Sequence, residues 1–380
     1  VTPADLAVVG YPFSPTGMGE HARSVCRALW AAGAAPGLVD AAPDGGAFDP
    51  DLRRAFAPHL RTGLARGVNL FCINGDEVER VTGLMDRGAF EGAYNVIYPA
   101  WELATYPEPW ARLLERFDEV WAPSAFIRDG LRSAVARPVT HMPLAVELTF
   151  SSFLGRRHFA IPEDAFVYLF FFDFSSYAER KNPGAVLEAF ERLARSRPQA
   201  QLHCVIKFRG AAGTEAARQA LETRLQALGG RVQAVNAELS DNEIKNLVRN
   251  ADVFVSLHRS EGFGRGMAEA MALGRTAIAT GYSGNLDFMT PETSLLVDYE
   301  LVPVAPGAYP HGEGQVWADP SVAHAAQLME QALDDPAGMR ALGERARRHI
   351  RTAFSARAVG LRYLARLDEI SGGQGGSIAT

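Results

Sequence analysis

The sequence is poor in cysteine, in long apolar runs and in basic excess, and each shortage closes off a class of protein. Its three cysteines, Cys26, Cys72 and Cys204, lie far apart among apolar neighbours with no C-x-x-C. That spacing sets aside a disulfide framework and a cysteine metal site, and points to buried, reduced thiols in a cytoplasmic protein. The most apolar run of note, FVYLFFF (166–172), is far shorter than the roughly 20 residues a bilayer span needs. It reads as a buried central strand. A formal net charge of −6 argues against a general nucleic-acid binder, which would carry a basic excess. The start of the sequence has no paired n-region and h-region, so no secretory leader is expected.

What is present is an alternating α/β pattern. A chain of 380 residues is too long for one hydrophobic core, so two domains are expected. Strands are read at 5–11, 68–74, 94–100, 119–124 and 139–146, with helices at 20–33, 110–117 and 124–134 between them. The stretch 151–164 breaks the rhythm and marks a boundary. The pattern then restarts with strands at 166–173, 200–208, 231–237, 252–258, 276–280 and 294–299. A Ser240/Glu243 capping box opens a helix over 241–250. Such alternation implies parallel sheets with helices on both faces. The expected division is 1–150, 151–370 and a flexible tail, 371–380, that has little to bury. The Pro- and Gly-rich stretch 301–318 reads as a long surface loop, followed by helices at 321–334 and 337–370.

Open parallel sheets bind ligands beyond the carboxyl ends of their strands. Four segments occupy such positions. PTGMG (15–19) follows the first strand, where Gly17 and Gly19 would let backbone approach an anion at a helix N-terminus; a plain strand–helix turn would use the same residues. It completes neither a G-x-G-x-x-G nor a P-loop. ERKNP (179–183) sets Arg180 and Lys181 beside a helix start with Pro183 at its first position, an arrangement suited to a diphosphate or to a solvated charge pair. SEGFGRGMAEAMALG (260–274) runs a loop of Gly262, Phe263 and Gly264 into a helix, with Glu261 at its mouth and Glu269 in its first turns. Both carboxylates suit sugar or ribose hydroxyls, although Glu269 could equally be a surface helix residue. GYSGNLDFM (281–289) offers a second backbone cradle or a turn.

In combination and in this order, these segments resemble the family-4 retaining glycosyltransferases. The resemblance rests on HRSEGFGRGMAEAMALGRTAIATGYSGN (258–285) with its E-x7-E spacing, PTGMGEHAR (15–23), ERKNPGAVLEAF (179–190) and DEVWAPSAF (118–126). It implies a GT-B fold, two Rossmann-like doubly wound domains facing across a cleft, with the last helix a candidate to pack back on the N-terminal domain. It also implies a nucleotide-sugar donor, GDP-mannose first and UDP- or dTDP-sugars next, and a glycan or lipid-linked acceptor. By position, Glu261 would meet donor-sugar hydroxyls and Glu269 the ribose. Arg180 and Lys181 would neutralise the diphosphate, Gly17 and Gly19 would close over the phosphates and acceptor, and segment 236–241 would lie near the base.

Many relatives place a histidine after an N-domain strand; here the corresponding end reads FCINGDEV (71–78), leaving Asn74 and Asp76 as polar candidates, Asp76 as the catalytic one. Trp101 and Glu102 follow the next strand, as acceptor-side residues or as a packed Trp and a capping Glu. A D-x-D triplet, the metal-holding motif of the other glycosyltransferase fold, occurs only as DPD (49–51), where Pro50 marks a turn and helix start. No metal and no cofactor are therefore expected. The basic, amphipathic stretch 52–67, with Arg53, Arg54, Arg61 and Arg66, is a candidate peripheral membrane contact or an ordinary domain helix, weakened by Pro58. A GT-B epimerase and a catalytically silent nucleotide-sugar binding protein are the rival readings.

Overall fold

A computed structural model describes residues 6–14, 16–42, 50–210 and 215–374. It divides into two compact units, unit 1 being Val1–Glu147 with Thr352–Thr380 and unit 2 being Leu148–Arg351. Unit 1 contains β1 (Leu6–Gly10), β2 (Gly37–Asp40), β3 (Val68–Phe71), β4 (Tyr94–Ile97), β5 (Glu119–Ala122) and β6 (Val139–His141). These form one parallel sheet in the order β2-β1-β3-β4-β5-β6. Every residue of β1, β3 and β5 is buried, as expected of strands covered on both faces. Strand β2, GLVD, is too short and too weakly apolar to stand out in the sequence.

Unit 2 repeats the architecture with β7 (Phe166–Asp173), β8 (Leu202–Arg209), β9 (Val232–Val235), β10 (Val253–Ser256), β11 (Thr276–Thr280) and β12 (Leu295–Val297). The order β12-β11-β10-β7-β8-β9 places the FVYLFFF strand in the middle, paired on both sides. Phe170, Phe172, Phe190 and Phe208 fill the core on one side of it.

The stretch 301–318, expected as a loop, instead contributes to an antiparallel hairpin of β13 (Tyr299–Pro303) and β14 (Val316–Pro320). Apart from Pro303, which ends β13, its Pro and Gly content belongs to the connection 304–315. The hairpin is held because Trp317, 3% exposed, and Ala318 of β14 are buried. The final helical region is also interrupted: the helix Pro336–Ala353 lies in unit 2 as far as Arg351, while Ala356–Gln374 packs against Gly17–Ala31 in unit 1. This return is pinned by Glu119, which is fully buried on β5. Its carboxylate accepts from Arg366 Nη2 at 2.8 Å and from Trp121 Nε1 at 3.0 Å. The helix continues through residues 371–374 of the expected tail, and residues 375–380 lie outside the described ones.

The basic stretch 52–67 does not form one helix. The helix Pro50–Phe56 passes into a single 3-10 turn, Ala57–His59, at Pro58, and the remainder is extended or bent. Of the DPD triplet, Asp49 lies outside the described residues, and Asp51 pairs with Arg54 at 3.0 Å on the helix surface. Among the described residues, no helix is long and apolar enough to cross a membrane. Cys26, Cys72 and Cys204 are buried and free of disulfides.

Candidate functional site

Each sheet changes winding direction at one place. In unit 2 that switch lies between β7 and β10, and in unit 1 between β1 and β3. Loops leaving the carboxyl ends of such strands diverge and open a crevice. The chain after β7 carries Arg180 and Lys181, and the chain after β10 carries Glu261, so topology alone brings the two cations to the carboxylate.

Glu261 is 8% exposed and pairs with both. Lys181 Nζ donates to its Oε1, and Arg180 Nη1 lies 3.3 Å from its Oε2. Burial alone would raise the Glu261 pKa, but the Lys181 and Arg180 charges outweigh it and hold the carboxyl well below its usual range. The two cations are not equivalent. Arg180 is 3% exposed, its Nη1 donates to Ser260 C=O at 2.9 Å and its Nη2 to Ser176 C=O at 3.1 Å. The Tyr309 ring, carried on the hairpin connection, covers its guanidinium at 5.8 Å. Arg180 is thus a buried brace, whereas the Lys181 side chain is 20% exposed and can turn to a ligand.

The Glu261 loop is held from below by the fourth segment. Glu261 N–H donates to Ser283 Oγ at 2.8 Å, and Gly284 N–H donates to Glu261 C=O at 2.9 Å. A Cβ on Gly284 would stand 2.1 Å from Gly262 O, so the two loops cross too closely for any side chain. His258 is fully buried between Ser256 Oγ at 3.0 Å and Asn285 Oδ1 at 3.2 Å. With Oδ1 as acceptor, Nε2 carries the hydrogen and Nδ1 accepts from Ser256, a neutral imidazole. Burial accordingly pushes the His258 pKa down. Ser283 and Asn285 are therefore buttresses of the loop, a role sequence reasoning did not assign them.

Gly264 has φ +94° and caps the helix Arg265–Ala272, with Glu269 half-buried one turn in. Phe263 is buried against Phe288, ring centroids 5.1 Å apart, and anchors the loop. Tyr177, Asn182 and Ser283 all have φ between +53° and +77°. Left-handed backbone costs a residue with a Cβ about 1–3 kcal/mol. Three such residues around one carboxylate mark a geometry the surrounding packing enforces. In the segment expected near a base, Asn236 Nδ2 donates to Glu222 at 3.2 Å, and Ser240 and Glu243 form the capping box.

In unit 1, the loop after β1 is clamped by Arg23, whose Nη1 donates to Pro12 C=O at 2.9 Å and Ser14 C=O at 2.8 Å. Gly17 begins the helix Gly17–Ala31 in open space. A Cβ on Gly19 would meet Ser14 O at 2.1 Å, so the tight turn requires glycine there. After β3, the Asn74 N–H donates to Glu77 Oε2 at 2.9 Å and its Oδ1 accepts from Ala100 N–H at 3.0 Å. Asp76 is exposed at the start of the following turn. Trp101 is packed into the loop after β4. It is 3% exposed, its Nε1 donates to Thr105 C=O at 2.8 Å, and it meets Trp110 edge-on at 5.2 Å. Glu102 is half-buried in the same loop.

A model of the family described as glycosyl transferases group 1 matches residues 156–349, about half of the chain. No curated protein sequence matches it. Among solved structures, HepE of Anabaena, crystallised with UDP and glucose, is similar with a TM-score of 0.70 at 13% identity, covering 96% of this chain and 99% of that one. Sucrose-phosphate synthase of Thermosynechococcus elongatus is similar with a TM-score of 0.67 at 19% identity, covering 97% and 99%. A glycosyltransferase of Rickettsia africae gives 0.68 at 15% identity, covering 96% and 98%. These likenesses identify the fold as GT-B.

Proposed function

This chain belongs to the group 1 glycosyl transferases, and from that premise we propose that it moves a hexose from a nucleotide-sugar to a glycan acceptor with retention of anomeric configuration and without a metal. The observation that carries the donor assignment is the buried Glu261 carboxylate set between Lys181 and Arg180 at the unit 2 switch point. Lys181 leaves Glu261 for the diphosphate, and the freed carboxylate takes hydroxyl hydrogens of the sugar. Glu269 takes the ribose, and backbone at Gly262 and Gly264 borders the ring. Gly17 opens a helix start to the phosphates, and Gly19, whose N–H donates to Thr16 Oγ1 at 3.3 Å, allows the tight turn that shapes it. Asp76 and Glu102 serve the acceptor side, while Arg180, Asn74 and Trp101 act by holding the loops.

In the reaction, the bond from the anomeric carbon to the diphosphate oxygen breaks and its electrons remain on the diphosphate. An acceptor hydroxyl forms the new bond on the same face and passes its proton to the departing phosphate. Lys181 stabilises the developing charge, the term a fixed cation supplies without reorganisation. HepE has also been crystallised with UDP-glucose, so a uridine donor is the first to test, ahead of GDP-mannose.

Thermal shift against a panel of nucleotide-sugars tests the reading, because a true donor raises Tm by mass action. A shift with one hexose donor, lost in Lys181→Ala, supports it. No shift with any donor would reject it. Product analysis separates the rivals: transfer to an acceptor or to water marks a transferase, an isomerised donor an epimerase, and binding alone a silent protein.

A further inference from the structure

Beside the Glu261 cradle, unit 2 holds a second recess of about 560 Å3, formed where the β13–β14 hairpin meets the segments after β7 and β10. That volume lies within the roughly 300–1,000 Å3 of small-molecule pockets. Three charged side chains line it: Glu179, Arg259 and Asp319. Pro303, Pro306 and Trp317 add apolar wall.

Arg259 is already committed. Its Nη1 bonds Asp319 Oδ1 at 2.8 Å, and its guanidinium lies 5.6 Å from the Trp317 ring centroid. Glu179 and Asp319 are both exposed at the rim. The fixed charges sum to one negative, which disfavours a phosphate or a carboxylate. A neutral polyhydroxylated ring fits: its hydroxyls donate to Glu179 and Asp319, and its C–H face lies on the prolines. The recess backs directly onto the cradle. Glu179 precedes Arg180, Arg259 stands two residues before Glu261, and Arg259 N–H donates to Arg180 C=O at 2.8 Å.

We propose that this recess binds a neutral hexose oligosaccharide, the glycan part of the acceptor. The binding stands on the recess itself, while the acceptor role rests on the glycosyl-transfer reading above.

Saturation-transfer NMR on the full chain with neutral tri- to pentasaccharides of glucose, mannose and galactose tests it. At least one should receive saturation, unaffected by added UDP, and lose it in Ala305→Trp, which places an indole in the recess from an exposed position. Glu179→Ala, on an exposed side chain, should weaken the same binding about fivefold, the net contribution of one solvent-screened hydrogen bond. Absence of saturation from every sugar, displacement by UDP, or undiminished signal in both variants would overturn the proposal. The UDP-induced Tm shift, read on the same samples, reports the donor site separately. Its persistence without oligosaccharide binding would leave the transferase reading intact and remove only this one.

Discussion

The two switch points are built from the same topological parts and put their polar residues to different use. After β3, Asn74 and Glu77 satisfy one another's backbone groups, and the neighbouring Trp101 is packed away. After β7 and β10, a buried carboxylate pairs with a buried arginine and a part-buried lysine, with strained backbone on either side. A buried ion pair is weak evidence for stability, because desolvation offsets its attraction. A cluster held in place by His258, Ser283 and Asn285 is better explained as preorganised for a ligand that replaces one ion-pair partner.

The largest effects should separate these regions. Glu261→Ala should lower turnover at least tenfold, about 1.4 kcal/mol of transition-state stabilisation. It should also destabilise unit 2 by about 3–5 kcal/mol, since Arg180 would remain buried without its carboxylate. Asp76→Ala, at an exposed position, should leave Tm unchanged, as denaturation curves would check. Equal loss of Tm in both variants would erase the contrast.

Within the cradle, Arg180→Ala and Lys181→Ala should diverge. The first loses the bonds to Ser260 and Ser176 carbonyls and should lower Tm more than it weakens nucleotide binding. The second should keep most of its stability and lose at least tenfold in donor affinity, about 1.4 kcal/mol. Calorimetric titration with denaturation on the same samples would show whether brace and ligand contact are distinct.

A control lies far along the chain from both loops. Arg366→Ala leaves Glu119 buried without its cation and should destabilise unit 1 by about 3 kcal/mol. Nucleotide affinity of the folded protein should not change.

The smallest effect is a pH dependence. His258 titrates at about 6.5 when exposed, and burial pushes it lower in the fold. Between those values the unfolded chain binds the extra proton, so stability should fall as pH drops from about 7 to 5. Thermal melts of His258→Gln should show a flatter profile over that range. The Glu261 contribution has the same sign but a separate window, being lost only below its ordinary value of 4.5.

Much of this was legible from residue order. The FVYLFFF strand, the E-x7-E spacing and the ERKNP turn carry local signals of burial, helix start and charge, and the fold places their segments together. What stayed hidden depends on distance in sequence. The inequality of Arg180 and Lys181 arises because Ser176, Ser260 and Tyr309 surround only the former. The roles of Ser283 and Asn285 appear only where their loop crosses under Gly262. The hairpin was masked by the Pro and Gly of its connection, though Tyr299, Leu301 and Pro303 on one strand face Pro320, Ala318 and Val316 on the other, a register that only pairing reveals.

The central claim is that Lys181 and Glu261, and not the polar residues after β3, hold the donor. Isothermal titration of the stabilising nucleotide-sugar into wild type, Lys181→Ala and Asp76→Ala tests it most directly. The account predicts at least tenfold weaker binding for Lys181→Ala and wild-type affinity for Asp76→Ala, about 1.4 kcal/mol against none. Wild-type affinity in Lys181→Ala, with the loss falling on Asp76→Ala, would contradict it.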